Sequence, residues 1–151
     1  MVISAIIFDL DGTLVQSEKL KAQSYAIAVQ RMRNLPEPEP LAIEAYREIV
    51  GAAREAATRH VIESLGLESE LRPLMAEHGA SEPWEVLAGM RTEIYNDMVE
   101  AQVLRDNQWP HTIGLLRVAR ETFCRTALAT MSYRKEALHV LRSLEIEDSL
   151  D

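Results

Sequence analysis

From Val2 to Phe8 every position except Ser4 is apolar, and the run breaks off at Asp9. A short apolar, β-prone stretch of this kind predicts a fully buried strand of the sort found in parallel sheets. After Val15 the period changes to that of a helix, with Ser17 as N-cap and Tyr25, Ile27, Ala28 and Met32 on one apolar face. Alternate prolines from Leu35 to Pro40 predict an extended turn, because proline lacks the N–H a helix interior needs. Helical spacing resumes from Leu41 to about Leu65, with Gly51 as a break and Gly66 as a stop. A short helix is expected from Leu71 to Glu77, ended by Gly79. Another is expected to start at Ser81-Glu82-Pro83-Trp84, capped by Ser81, and to run to about Val103. Pro110 opens a further turn, and Ile113 to Glu121 reads as amphipathic helix. Arg125 to Met131 returns to strand character. Ser132 then caps a last helix through about Leu144, before an acidic end.

The order is strand, long helical insertion, helix, strand, helix. Two apolar strands joined by a helical crossover predict an α/β fold with a parallel sheet. The insertion enters directly after Asp9 and Asp11, so it is expected to form a lid over that strand tip.

Composition narrows the class. The chain has 151 residues, a net charge of −8, and basic residues spread singly. That distribution argues against a phosphate-backbone footprint, so no nucleic-acid partner is expected. No stretch reaches the apolar length of a membrane span, so no membrane partner is expected. The N-terminus lacks the basic start of a signal peptide. Cys124 is the one cysteine, which excludes an intrachain disulfide and suits a reducing, cytoplasmic setting. Cys124 is read as a buried apolar residue, and His60, His78, His111 and His139 lack metal-ligand spacing. Trp84 and Trp109 are read as packing anchors. Arg31, Arg33 and the run Glu145 to Asp148 are read as solvated charge.

The chemistry lies in Phe8-Asp9-Leu10-Asp11-Gly12-Thr13-Leu14-Val15. A strand delivering two carboxylates and then Gly12-Thr13 builds a small negative pocket expected to be lined by free backbone N–H groups. That environment suits Mg²⁺ and a phosphate together. Asp9 can act as a nucleophile toward phosphorus, and Asp11 as general acid and then as base. In open parallel sheets ligands bind beyond the carboxyl ends of the strands. Asp9 stands at one such end and Thr130 at the other. The Thr130 hydroxyl, with backbone N–H groups of Met131 and Ser132, would hold a phosphoryl oxygen. A bare Asp-x-Asp-Gly turn explains less of this context. A calcium loop would need glycine at Leu14 and glutamate at Leu20.

These residues resemble the haloacid dehalogenase superfamily. Phe8 to Val15 looks like its first motif, and Ala127-Leu128-Ala129-Thr130-Met131-Ser132 like its second. Gln16-Ser17-Glu18 and Gly51-Ala52-Ala53-Arg54-Glu55 are similar to segments of the helical-cap branch that includes β-phosphoglucomutase and related phosphatases. The resemblance implies an incomplete Rossmann-like α/β core at 1–15 and 106–151 with an inserted α-helical cap at 16–105. It implies Asp9 as nucleophile and Mg²⁺ ligand, and Asp11 as acid/base offering its backbone carbonyl to the metal. Thr130, Gly12, Thr13 and Met131 would bind the phosphoryl group, and Arg54 would contact substrate phosphate from the cap. The implied reaction is phosphatase or phosphomutase chemistry on a small phosphorylated metabolite, through an aspartyl-phosphate.

Two family motifs have no counterpart. The third is a lysine and the fourth an acidic pair, each following a further strand. Lys135 comes too soon to be that lysine, and Asp148 and Asp151 precede the strand. His111 stands where the family often has glycine. Turnover by this chain alone is therefore expected to be weak or absent, with the core truncated and the first strand's edge open. The open edge leaves three expectations: a shortened product, which is favoured; pairing or domain swapping with a second copy; or a natural truncation held by its helices. The alternative to an enzyme is a non-catalytic interaction or oligomerisation module.

Overall fold

A computed structural model describes residues 3–122 and 125–151. The Val2 start of the predicted strand and the reading of Cys124 lie outside the described residues. The chain divides into two compact units, residues 1–18 with 99–151, and residues 19–98.

The first unit is built on two parallel strands, β1 (Ala5–Phe8) and β2 (Arg125–Leu128), with Ala5 level with Arg125 and Phe8 level with Leu128. The ladder runs one residue further, because the Ala129 N–H donates to the Phe8 carbonyl at 2.8 Å. β1 is not buried on both faces as its composition suggests. Side chains alternate across a strand. Phe8 and Thr126 face inward and are buried, whereas Ile7 faces out and is 69% exposed. Burial of both faces needs cover on both, and among the described residues one face has it.

Helices α7 (Ala101–Asp106), α8 (Pro110–Glu121) and α9 (Arg134–Ser143) complete this unit. Pro110 occupies the first turn of α8, where its missing N–H costs nothing. Ile113, Leu116 and Ala119 form the buried stripe of α8, which packs on β2. Trp109 is no buried anchor: it is 42% exposed, and its backbone N–H donates to Leu14 at 2.9 Å. Ser132 does not cap α9, since the N-cap position is held by Tyr133. The helix ends at Glu145, whose φ of +56° is left-handed, and the next residue, Ile146, is fully buried.

Beyond the acidic run, Asp151 is not simply solvated. Parallel pairing points the N–H and C=O of Thr126 away from β1. Asp151 takes both: its N–H donates to the Thr126 carbonyl at 2.9 Å, and its carboxylate accepts from the Thr126 N–H at 2.8 Å. Arg120 reaches the same carboxylate at 2.6 Å and Arg125 at 3.2 Å. The Thr126 N–H and the two guanidinium groups hold the Asp151 carboxyl at about 2, below its ordinary 3.8. Glu147 is paired with Arg142 at 2.8 Å.

The second unit is helical. Helix α1 (Ser17–Arg33) leads into it, followed by α2 (Pro40–Glu48) and α3 (Arg54–Leu65). The last proline of the alternating run opens α2 rather than extending the turn, and the Glu39 side chain accepts the Leu41 N–H at 3.2 Å. Gly51, at φ +88°, separates α2 from α3, and Gly66, at φ +64°, ends α3. Residues 68–78 form an irregular helical run: α4 (Glu68–Leu71), a 3₁₀ turn at Arg72–Leu74 and α5 (Met75–His78), closed by Gly79. Helix α6 (Pro83–Met98) stops short of Val103. Its entry is capped not by the Ser81 side chain but by Glu85, whose carboxylate accepts the N–H groups of Ser81 and Glu82 at 2.5 and 3.1 Å.

Tyr25, Val29, Val61, Leu67, Leu71 and Leu87 are fully buried in the core of this unit. The Tyr25 hydroxyl meets Thr58 at 2.6 Å, and Thr58 donates to the Arg54 carbonyl at 2.8 Å. The Arg91 guanidinium lies over Tyr25 and Tyr95, 5.5 and 5.7 Å from their ring centres. Arg33 is not free in solvent: it makes a bidentate pair with Glu70, closest at 2.6 Å, and donates to the Leu65 carbonyl. That pairing raises the guanidinium and lowers the carboxyl from their ordinary values.

Candidate active site

β1 ends one residue before Asp9, which is exposed. The chain then folds into a tight turn instead of continuing as strand. The N–H groups of Leu14 and Val15 both donate to the Leu10 carbonyl, at 2.9 and 3.2 Å. Gly12 permits the turn because its φ is +77°. Leu10, Leu14 and Val15 bury their side chains beneath it, which fixes the turn from below.

The pocket of free backbone donors expected here is largely spent on the turn. The Gly12 N–H donates to the Val15 carbonyl at 2.7 Å, and the Thr13 N–H to the Leu10 carbonyl at 3.3 Å. On the second strand end the Ser132 N–H donates to Thr130 Oγ1 at 3.1 Å. Met131 is well exposed, and among the described residues its N–H has no acceptor. At the second strand end, the Met131 N–H and the Thr130 hydroxyl proton therefore remain available to a ligand among the described residues.

Asp11 is held from two directions. Its Oδ1 accepts a hydrogen bond from the Ser17 hydroxyl, at the start of α1, and its Oδ2 accepts from the Ser132 hydroxyl at 2.5 Å. Ser17 is fully buried and acts as a partner of Asp11, not as the predicted helix cap. Ser132 lies 121 residues from Asp11 in the chain, in the loop between β2 and α9. The structure thus brings Asp9, Asp11, Thr130 and Ser132 to the same edge of the sheet, beyond the carboxyl ends of both strands.

Sequence reasoning read Ser17 and Ser132 as helix caps, and the Ser132 backbone N–H as a phosphoryl donor, but gave neither hydroxyl a role toward Asp11. The signal that would have marked them otherwise is chemical: hydroxyl residues flanking both strand tips are ready partners for a carboxylate placed between them. Arg54 is in the other unit, as the first residue of α3.

The donor set is hard oxygen. Among the described residues no group of three or more His, Cys, Asp or Glu side chains is arranged to hold a metal. Mg²⁺ is commonly bound through one or two carboxylates, with water and substrate phosphate completing its shell. Asp9 and Asp11 match that pattern in kind. Among the described residues no helix is long and apolar enough to cross a membrane. A groove of about 250 Å³ in the helical unit has Arg59 and Arg72 on its wall. Both arginines are already paired, with Glu55, Glu82 and Glu68.

The sheet edge thus carries paired aspartates after the first strand and a threonine after the second, in a parallel α/β unit. A family model for haloacid dehalogenase-like hydrolases matches residues 3–151. The chain belongs to that family. Its fold is similar to that of a predicted phosphoglycolate phosphatase from Haemophilus somnus, with a TM-score of 0.68 at 17% identity. It is also similar to a β-phosphoglucomutase from Clostridium difficile (TM-score 0.64, 20% identity) and a putative β-phosphoglucomutase from Thermotoga maritima (0.62, 23%). Each comparison covers 99% of this chain but 59–60% of the other. The chain therefore spans about three-fifths of the length of the solved structures it matches. No curated protein sequence matches it.

Proposed function

We propose that this chain carries the nucleophile half of a Mg²⁺-dependent phosphatase or phosphomutase acting on a small phosphorylated metabolite. The observation that carries the reading is the Ser132–Asp11 hydrogen bond. It ties the end of the second strand to the acid of the first, beside the exposed Asp9.

In this reading a carboxylate oxygen of Asp9 attacks phosphorus as the bond to the ester oxygen breaks. Asp11 gives its proton to the departing oxygen. Asp11 then takes a proton from water as that water attacks phosphorus, and the bond to Asp9 breaks to release phosphate. In a mutase, a second substrate hydroxyl takes the place of water. Thr130 donates its hydroxyl proton to a phosphoryl oxygen, and the Met131 N–H is a second donor. The Asp9 carboxylate and the Asp11 backbone carbonyl would hold Mg²⁺, which supplies charge neutralisation at the phosphoryl oxygens when bound.

The test is hydrolysis of p-nitrophenyl phosphate with and without Mg²⁺. A slow, Mg²⁺-stimulated rate is expected, and Asp9→Asn should bring it to background. Equal rates for the two proteins would defeat the proposal.

A further inference from the structure

We propose that Ser132 is a positioning residue for Asp11, a role distinct from any contact it makes with substrate; the inference deepens the reading of Asp11 as the acid/base and rests on it. Three observations converge. The Ser132 hydroxyl lies 2.5 Å from Asp11 Oδ2. The Ser17 hydroxyl occupies Oδ1, so the carboxylate is gripped at both oxygens and its plane is fixed. The Ser132 backbone is itself anchored, because its N–H donates to Thr130 Oγ1 at 3.1 Å.

That last bond has a second effect. Thr130 Oγ1 is used as an acceptor, so its own proton is directed elsewhere, toward the space a phosphoryl oxygen would fill. One short loop then sets the direction of the Thr130 donor and the rotamer of Asp11 together.

The partner's chemistry suits the task. A group that passes a proton out and back alternates between acceptor and donor. An amide N–H or a lysine would favour one state only. A hydroxyl can donate to the carboxylate and, after rotating, accept from the carboxylic acid, so it holds Asp11 in either form. Serine at both oxygens keeps the geometry constant through the cycle.

The experiment reads the Asp11 side chain in the folded chain by three-bond couplings to its Cγ, which need no turnover. The native protein should show one rotamer. Ser132→Ala should show averaged couplings with the remaining amide spectrum preserved, and Ser132→Thr, which keeps the hydroxyl, should restore the single rotamer. A single Asp11 rotamer in Ser132→Ala would overturn the proposal. In the p-nitrophenyl phosphate assay Ser132→Ala should lower kcat by roughly tenfold or more, with KM within about twofold, and Ser132→Thr should recover most of the loss. A change confined to KM would make Ser132 a substrate contact and overturn it as well. Failure of the Asp9→Asn comparison would remove the reaction but leave the coupling result standing, so the two failures are separable.

Discussion

Individual residues around the strand tip have narrow tolerances for separate reasons. Gly12 is constrained by its backbone: a Cβ there would meet only Glu18 Cγ at 3.9 Å, an ordinary contact, but φ is +77°. Gly12→Ala should therefore cost about 1–2 kcal/mol through backbone strain, without a clash. A lower urea midpoint with an unchanged slope is the expected measurement. Tyr25 is constrained by its hydroxyl. Thr58 spends its own proton on the Arg54 carbonyl, so the Tyr25 O–H donates to Thr58. Tyr25→Phe removes that buried bond while keeping the ring against Tyr46, 5.2 Å away between centres. A loss of about 1 kcal/mol is expected by thermal or urea unfolding.

The elements are governed by how their ends are satisfied. Caps read from residue type were right in kind at the glycines and wrong at the serines. Gly66 and Gly79 stop helices because the left-handed conformation they supply is a local matter. Ser17, Ser81 and Ser132 were expected to cap, yet Ser17 and Ser132 turn to Asp11 and Glu85 does the work near Ser81. A hydroxyl bonds whichever acceptor the fold brings closest, and a charged acceptor competes well with a backbone group. The β2 edge is secured by Asp151, which gives the region a pH dependence. The folded carboxyl titrates at about 2 instead of 3.8. Its contribution to stability is therefore complete above the ordinary value and is lost as pH falls toward 2. The stability difference between the native chain and Asp151→Asn should be greatest above that window and shrink through it, as urea titrations at a series of pH values would show.

At the scale of the whole chain, the hydrophobic core cluster lies in the second unit, and among the described residues the sheet of the first exposes one face. Ile3 and Ile7 are 63% and 69% exposed on that face, and Ala127 and Ala129 are exposed beside them. An exposed apolar strand surface recruits other chains. The chain is expected to self-associate, with a solution mass that rises with concentration in sedimentation experiments. Ile7→Lys should lower that association while leaving the inward face, with Phe8 and Thr126, intact. A native chain monomeric across the concentration range would count against the pairing.

Sequence by itself determined the local pieces: the apolar run into Asp9, the helical insertion, the glycine stops, and the Asp9–Asp11–Gly12 tip with Thr130 after a second strand. These are legible because period, turn residues and motif spacing are properties of neighbours in the chain. Only the tertiary structure decided which polar groups are already used. The N–H groups of Gly12 and Thr13 are consumed by Val15 and Leu10. Asp11 belongs to a serine 121 residues away. The acidic end closes on Thr126. Hydrogen-bond partners at long separation are set by which strand lies beside which, and that choice depends on burying the apolar faces of the whole unit, a quantity no local pattern records.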